Sequence, residues 1–307
     1  MNINKSKIPN FFIVGAAKSG TSSLWQYMKE HPQIFMPKDE LYKEPRYFNN
    51  PKRFRNIEDY FRLFEATNEN QNRVGEASTA YLTCPDCASK IADYGREYDL
   101  DIKIIILLRN PASRAYSLYN WMVQDGYEYS STFAKALKRE ERRKKGTSNF
   151  WEPNYFYNYL YFNSGKYYEQ VNQYIAQFGN ENVYVETFEN FIKNSTVILR
   201  EIFTFLGVDP DFNVDVSKSF NPSVDVIHPS LQFSLRKLTK YLTRARIIKF
   251  NDKKGRDKLM KWGMSKKKVK KIDPEVKSNL LKRYKEDIDQ LEALINKDLS
   301  IWKEQEG

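Results

Sequence analysis

Apolar positions along the chain fall into two kinds of run. Phe11 to Val14 and Lys103 to Leu108 (Lys-Ile-Ile-Ile-Leu-Leu) are short and continuous, the pattern of strands buried on both faces of a parallel sheet. Arg73 to Leu82 reads as a short strand leading into a loop, and Asn182 to Glu186 as another short strand. Elsewhere the apolar spacing is three and four, which predicts helices. The first carries Leu24, Tyr27 and Met28 and stops at His31-Pro32, because proline cannot continue a helix and restricts the residue before it. Others carry Ile57, Tyr60, Phe61 and Phe64, or cover Ile91 to Tyr98, Ala112 to Gln124 and Tyr167 to Phe178. Two more follow, the second closing on Leu206-Gly207 with glycine as C-cap. A last helix over Asp273 to Asn296 opens with Asp273 as N-cap and Pro274 behind it.

One join between a strand and a helix carries chemistry. Phe11 to Leu24 runs Phe-Phe-Ile-Val-Gly-Ala-Ala-Lys-Ser-Gly-Thr-Ser-Ser-Leu. A strand, a glycine-bounded turn and a helix start leave free N–H groups and the positive end of the helix dipole facing the turn. Lys18 adds a charge, and Thr21, Ser22 and Ser23 add hydroxyls. The stretch therefore reads as a cradle for a nucleotide phosphate. Gly15 and Gly20 have the spacing of a Walker A loop, but Thr21 stands where that motif has its lysine and the only lysine is Lys18.

Composition narrows the partners. The chain has 307 residues, 41% of them hydrophobic, enough for one large domain or two small ones. Fifty basic against 39 acidic residues leave a net charge of +11, which favours anionic partners without choosing among polysaccharide, nucleotide, nucleic acid and membrane surface. The two cysteines, Cys84 and Cys87, stand in Thr-Cys-Pro-Asp-Cys and His31 and His228 are the only histidines. They could be half a zinc site or a redox pair; with no second pair to complete a zinc site, they read as incidental thiols at a helix start, as suits a reducing compartment. His31 reads as a helix-terminal residue turned away from the cradle rather than as a base. Met1 to Asn10 is polar and no run of 18 apolar residues occurs, so the expectation is a soluble, cytoplasmic protein.

Three further stretches hold candidate chemistry. In Lys43-Glu44-Pro45-Arg46-Tyr47-Phe48, a carboxylate between cations could act as a general base on an acceptor hydroxyl; a solvated loop of mixed charge fits the same residues. Arg109 follows the strand ending at Leu108, where open α/β sheets bind ligands, and Ser117 lies about two turns into the next helix. The two can grip a second phosphate, although a salt-bridged strand-end arginine has the same sequence. Asn149 to Tyr168 is crowded with aromatic side chains, among them Phe150, Trp151, Tyr155, Phe156, Tyr157, Tyr159, Tyr161 and Tyr167, part core and part suited to stacking on an acceptor. Lys138 to Lys145 is expected to be an exposed helix end, and Lys218 to Ser230 a loop with Asn221-Pro222 and His228-Pro229. Arg236 to Lys271 holds 16 Lys or Arg against Asp252 and Asp257, a solvated basic region or a polyanion or membrane-surface patch.

Taken together, these blocks resemble one family in order. Gly15-Ala-Ala-Lys18-Ser-Gly-Thr-Ser22 is similar to the 5′-phosphosulfate loop of sulfotransferases that use 3′-phosphoadenosine 5′-phosphosulfate (PAPS). Lys43 to Phe48 resembles that family's Lys-Glu-Pro-x-Phe-Phe block. Gly75-Glu-Ala-Ser78 resembles its Gly-Glu-x-Ser-Pro-x-Tyr block, with Thr79 in place of proline. Leu108-Arg109-Asn110-Pro111 with Arg114-Ala-Tyr-Ser117 resembles its 3′-phosphate block. Ser164-Gly165-Lys-Tyr167, Phe205-Leu206-Gly207 and Asp298 to Trp302 also fit. The likeness is to bacterial members related to the catalytic domains of heparan sulfate sulfotransferases.

That resemblance implies an α/β fold: a single P-loop-like domain over 1–307, with a central parallel sheet flanked by helices and a helical C-terminal part (basic helical segment 231–271 and terminal helix 273–296). It implies sulfuryl transfer from PAPS to a hydroxyl or amine, releasing 3′,5′-ADP and requiring no metal. Ala17, Lys18, Ser19, Gly20, Thr21 and Ser22 would bind the 5′-phosphosulfate, and Arg109 and Ser117 the 3′-phosphate. Glu44 would be the base, with Lys18 and Lys43 as catalytic cations. The acceptor would be carbohydrate or another anionic or membrane-associated molecule, with no specific nucleic acid partner. A P-loop kinase acting with ATP–Mg²⁺ and a non-catalytic polyanion binder are the rival readings. The first is disfavoured by the lack of a Walker B aspartate, since Lys103 to Leu108 ends in Arg109; the second would rest on Arg236 to Lys271.

Overall fold

The structure is a computed structural model that describes residues 4–39, 42–145, 155–217, 224–226, 228–244, 264–268 and 271–303. Along the chain run β1 (Phe11–Gly15), α1 (Thr21–Met28), β2 (Ile34–Phe35), α2 (Ile57–Phe61), β3 (Arg73–Glu76) and α3 (Cys87–Tyr98). Next come β4 (Lys103–Leu108), α4 (Pro111–Gln124), α5 (Phe133–Lys144), α6 (Tyr167–Phe178), β5 (Val183–Thr187), α7 (Phe188–Lys193) and α8 (Ser195–Leu206). The remainder comprises β6 (Val224–Val226), α9 (Pro229–Arg244), β7 (Met264–Lys268), α10 (Pro274–Ile295) and α11 (Ser300–Lys303). The chain divides into two compact units: Met1–Asn110 with Tyr167–Asn221 and Glu286–Ile301, and Pro111–Lys166 with Pro222–Lys285 and Trp302–Gly307.

The first unit is built on a five-stranded sheet of order β2-β3-β1-β4-β5, parallel throughout. β1 is central, with Phe12 opposite Glu76 of β3 and Ile13 opposite Ile105 of β4. β1 and β4 are apolar on both faces because both faces are covered. On one side Phe11, Ile13, Ile105 and Leu107 pack with Leu24 and Trp25 of α1, Phe191 of α7 and Ile202 and Phe203 of α8. On the other, Phe12 meets Phe48 at 5.7 Å and Tyr94 of α3 at 6.1 Å between ring centroids. Burying each such side chain contributes roughly 1.5–3 kcal/mol. Chain order places β3 and β4 on opposite sides of β1, so the carboxyl ends of these three strands form a switch point of the kind where α/β sheets bind ligands.

In the second unit α4, α5, α9 and the first part of α10 accompany a two-stranded antiparallel sheet, with Val224 opposite Lys268 and Val226 opposite Met264. Two expectations are corrected here. The stretch from Lys218 to Ser230 contains a strand, and the basic segment 231–271, helical over its first part to Arg244, also holds a strand, β7 at Met264–Lys268. The strand partner lies some forty positions away, beyond the reach of any local periodicity. Residues 245–263 and Asn221-Pro222 lie outside the described residues. α5 is also less exposed than its charge suggests. Arg143 and Glu140 are buried; Arg143 pairs with Glu128 at 2.8 Å, and Glu140 accepts from Phe162 N and Asn163 N, both at 2.8 Å. Among the described residues no helix is long and apolar enough to cross a membrane.

Candidate active site

β1 ends at Gly15 and the chain turns into α1. Gly20, the N-cap of α1, has φ 84°, a left-handed conformation natural to glycine. A Cβ there would stand 2.8 Å from Phe188 Cδ2. Lys18 also lies in the left-handed region, with φ 72°, at a cost of about 1–3 kcal/mol that concentrates at functional turns. α1 has no side-chain cap, so its first-turn N–H groups point into the loop with the positive end of the dipole behind them. Ala17 is half-buried and Thr21 buried in the same turn. Ser19 Oγ is buried with no hydrogen-bond partner. An uncapped helix start beside an orphaned hydroxyl suits a phosphate group.

Arg109, at the end of β4, donates from Nη1 to Lys18 O at 3.1 Å and lies over the Phe188 ring at 4.8 Å. Its own carbonyl accepts from Tyr167 Oη at 2.9 Å. The loops after β1 and β4 are thereby joined. Ser117 lies on α4, in the second unit.

The Lys43–Phe48 block reaches the same loop. Lys43 Nζ donates to Ser22 Oγ at 2.6 Å. Glu44 Oε1 accepts from Thr79 Oγ1 at 2.9 Å, and Glu44 Oε2 stands 4.0 Å from Arg46 Nε. The backbone of the block is pinned on several sides: Ala77 N donates to Lys43 O at 3.3 Å, Arg46 N to Ser78 Oγ at 2.9 Å, and Arg53 Nη1 to Glu44 O at 2.6 Å. The Glu44 side chain is 32% exposed, open enough to meet an acceptor.

Glu76, the last residue of β3, has no role in the sequence reading beyond membership of its block. Both of its carboxylate oxygens are buried without a hydrogen bond of good geometry. Burial pushes its carboxyl up to about 8 and the charge of Glu44 adds to the rise, while the nearby Tyr81 and Ser78 hydroxyls oppose it. Near neutral pH Glu76 therefore holds its proton. Membership of the Gly75-Glu-Ala-Ser78 block is its only mark in the sequence; its burial follows from its place opposite Phe12 in the sheet.

The remaining candidates separate cleanly. His31 is buried between Phe203 and Phe212, with ring centroids 4.5 and 4.9 Å away, and is bound to Asp209 O and Gln33 N; just past the end of α1, it serves in packing. Cys84 and Cys87 are joined as a disulfide, which corrects the reading of two free thiols. Although Asp86 completes a cluster of three metal-type donors with them, joined sulfurs offer no thiolate pair. Of the aromatic run, Tyr159, Tyr161 and Tyr167 are core, and Tyr155, Phe156 and Tyr157 are half-buried or exposed; Phe150 and Trp151 lie outside the described residues.

A parallel α/β sheet with a strand–loop–helix cradle at its carboxyl edge defines a protein of the P-loop-like class. The chain belongs to the family described as sulfotransferase domain, whose model matches residues 9–292. The crystal structure of a sulfotransferase from Alicyclobacillus acidocaldarius is 30% identical with a TM-score of 0.71, over 97% of this chain and 99% of that one. The membrane-associated sulfotransferase kil1 of Dictyostelium discoideum is 35% identical over 120 residues, 38% of this chain. The bifunctional heparan sulfate N-deacetylase/N-sulfotransferase 4 of Mus musculus is 24% identical over 220 residues, 70% of this chain. The chain spans 24% of the length of each of these two curated relatives.

Proposed function

We propose that the protein transfers a sulfuryl group from PAPS to a hydroxyl or amine acceptor, with Glu44 as general base. The observation that carries this reading is the Lys43 Nζ to Ser22 Oγ hydrogen bond of 2.6 Å, which ties the phosphate loop to the residue next to Glu44. When bound, PAPS supplies the sulfuryl group and leaves as 3′,5′-ADP. The N–H groups of Ala17 to Ser22 and the Ser19 hydroxyl hold its 5′-phosphate. Lys18, with Lys43 bound to Ser22 of the same loop, stabilises charge building on the leaving oxygen, work that a metal performs in P-loop NTPases. Arg109 is assigned to the 3′-phosphate from its strand-end position, and Ser117 on its sequence block alone. Glu44, exposed and held by Thr79, takes the acceptor proton. Buried Glu76, still protonated near neutral pH, is the poorer base.

Heparan sulfate in the name of one relative and the net charge of +11 favour an anionic carbohydrate as acceptor. A labelled-PAPS transfer assay over desulfated glycosaminoglycans, simple sugars, phenols and lipids tests this, with labelled glycosaminoglycan the expected product. Calorimetry with 3′,5′-ADP against ATP–Mg²⁺ tests the donor. Preference for ATP–Mg²⁺ would turn the assignment to a kinase.

A further inference from the structure

α9 buries polar as well as apolar side chains. Gln232 and Thr239 are buried, and so is Phe233, whose ring lies 5.5 Å from that of Tyr129. Gln232 Nε2 donates to Gln124 O at 2.7 Å, Arg236 Nη1 to Asp125 O at 2.9 Å, and the Arg236 guanidinium also donates to Tyr127 Oη and lies over that ring at 3.6 Å. Gly126 lets the helix approach this closely: its φ is 68°, and a Cβ there would meet Gln232 O at 2.6 Å and Arg236 Cβ at 2.8 Å. The inward face is thus committed to the turn after α4.

The outward face carries an apolar stripe, exposed at Leu231, Leu238 and Tyr241 and half-buried at Leu235 and Leu242. Leu231, Leu235, Leu238 and Leu242 recur at helical spacing, with Tyr241 beside them. Leu231 is 43%, Leu238 45% and Tyr241 67% exposed. Three of the eight large apolar side chains exposed among the described residues therefore sit on this one helix. Single exposed leucines are ordinary, but a stripe of them is not. Its flanks are cationic: Lys237 and Lys240 are exposed beside the stripe, α9 has no acidic residue, and its sequence runs into the segment with 16 Lys or Arg against two Asp.

We propose that α9 is a docking helix for an anionic lipid bilayer, seating its leucine stripe at the acyl boundary with its lysines among the headgroups. Charge decides between occupants. A second copy of this face would bring like charges together, whereas an anionic bilayer offers opposite charge above an apolar layer. The interaction is peripheral.

Flotation with vesicles of equal parts phosphatidylcholine and phosphatidylglycerol tests it. Full-length protein should float with these vesicles, float poorly with pure phosphatidylcholine and be released by salt. The triple variant Leu231→Ser, Leu238→Ser, Tyr241→Ser should bind at least about tenfold more weakly. Lys237→Glu should lose about fivefold or more. Circular dichroism and 3′,5′-ADP affinity, read in parallel, should not change. The proposal is overturned if the wild type does not float, if the triple variant floats undiminished, or if sedimentation shows a wild-type dimer that the triple variant converts to monomer.

Discussion

The Thr79 hydroxyl donates to Glu44 Oε1 at 2.9 Å, at the position where the family block otherwise has proline. Proline there could make no such bond, so the departure from the pattern supplies the group that orients the proposed base. Thr79→Val should lower the rate of sulfuryl transfer by about ten- to a hundredfold, the worth of a hydrogen bond to a charged group. Thr79→Ser should keep most of the rate, and 3′,5′-ADP affinity should hold in both. Equal rates for the valine and serine variants would remove Thr79 from the site.

Lys18 is expected to matter in the chemical step. Lys18→Ala should reduce turnover by roughly 100- to 1,000-fold without loss of secondary structure. The measurement is single-turnover transfer from saturating PAPS. A variant retaining most of its activity would show that another cation faces the leaving oxygen.

Glu76 makes stability depend on pH. Its carboxyl titrates near 8 in the folded chain against an ordinary 4.5, so between these values the folded state holds a proton that the unfolded state has released. Stability is then highest at low pH and declines as pH rises through this window. Glu76→Gln carries no such proton. It should match the wild type near pH 4.5 and exceed it by on the order of a few kcal/mol near pH 8. Urea unfolding at a series of pH values reads the difference; parallel curves for the two proteins would mean that Glu76 is ionised in the folded state.

Glu128 behaves in the opposite sense. Burial alone would raise its carboxyl, but the Arg143 guanidinium and the Ser130 hydroxyl and N–H outweigh it and hold it below the usual range. Arg143 and Glu128 are both almost fully buried, so removing one strands the other. Glu128→Ala should destabilise the protein by about 3–5 kcal/mol, measured by chemical unfolding at neutral pH. A loss under about 1 kcal/mol would fit a solvent-screened pair instead.

What could be read from the sequence was mostly what local pattern controls. The strands at Phe11 and Lys103, the glycine cap at Gly207 and the Asp273 cap, which accepts from Glu275 N and Val276 N, all follow from periodicity and capping. Of the candidate site, Lys18 and Arg109 stand out by their places in the turn after β1 and at the end of β4. Glu44 needed the resemblance, because a charged loop gives no sign of what it folds against. Glu76, the Glu128–Arg143 pair and the polar contacts under α9 could not be read locally. Each depends on neighbours elsewhere along the chain: Glu44 for the first, helix α5 for the second, and the turn at Gly126 for the third. Charge in a sequence suggests solvent; only tertiary contacts reveal where it is buried.

The strand order has one more consequence. β3, β1 and β4 are consecutive in the sheet, and the Glu76–Thr79 segment, the Gly15–Gly20 loop proposed to hold phosphate and Arg109 issue from their carboxyl ends. Parallel neighbours are spaced by about 4.8 Å, so the outer two roots stand about 10 Å apart. That interval is set by backbone hydrogen bonds, and substitutions in the loops leave it untouched. The sheet serves as a ruler: evolution can rewrite what each loop grips while the distance between grips stays fixed.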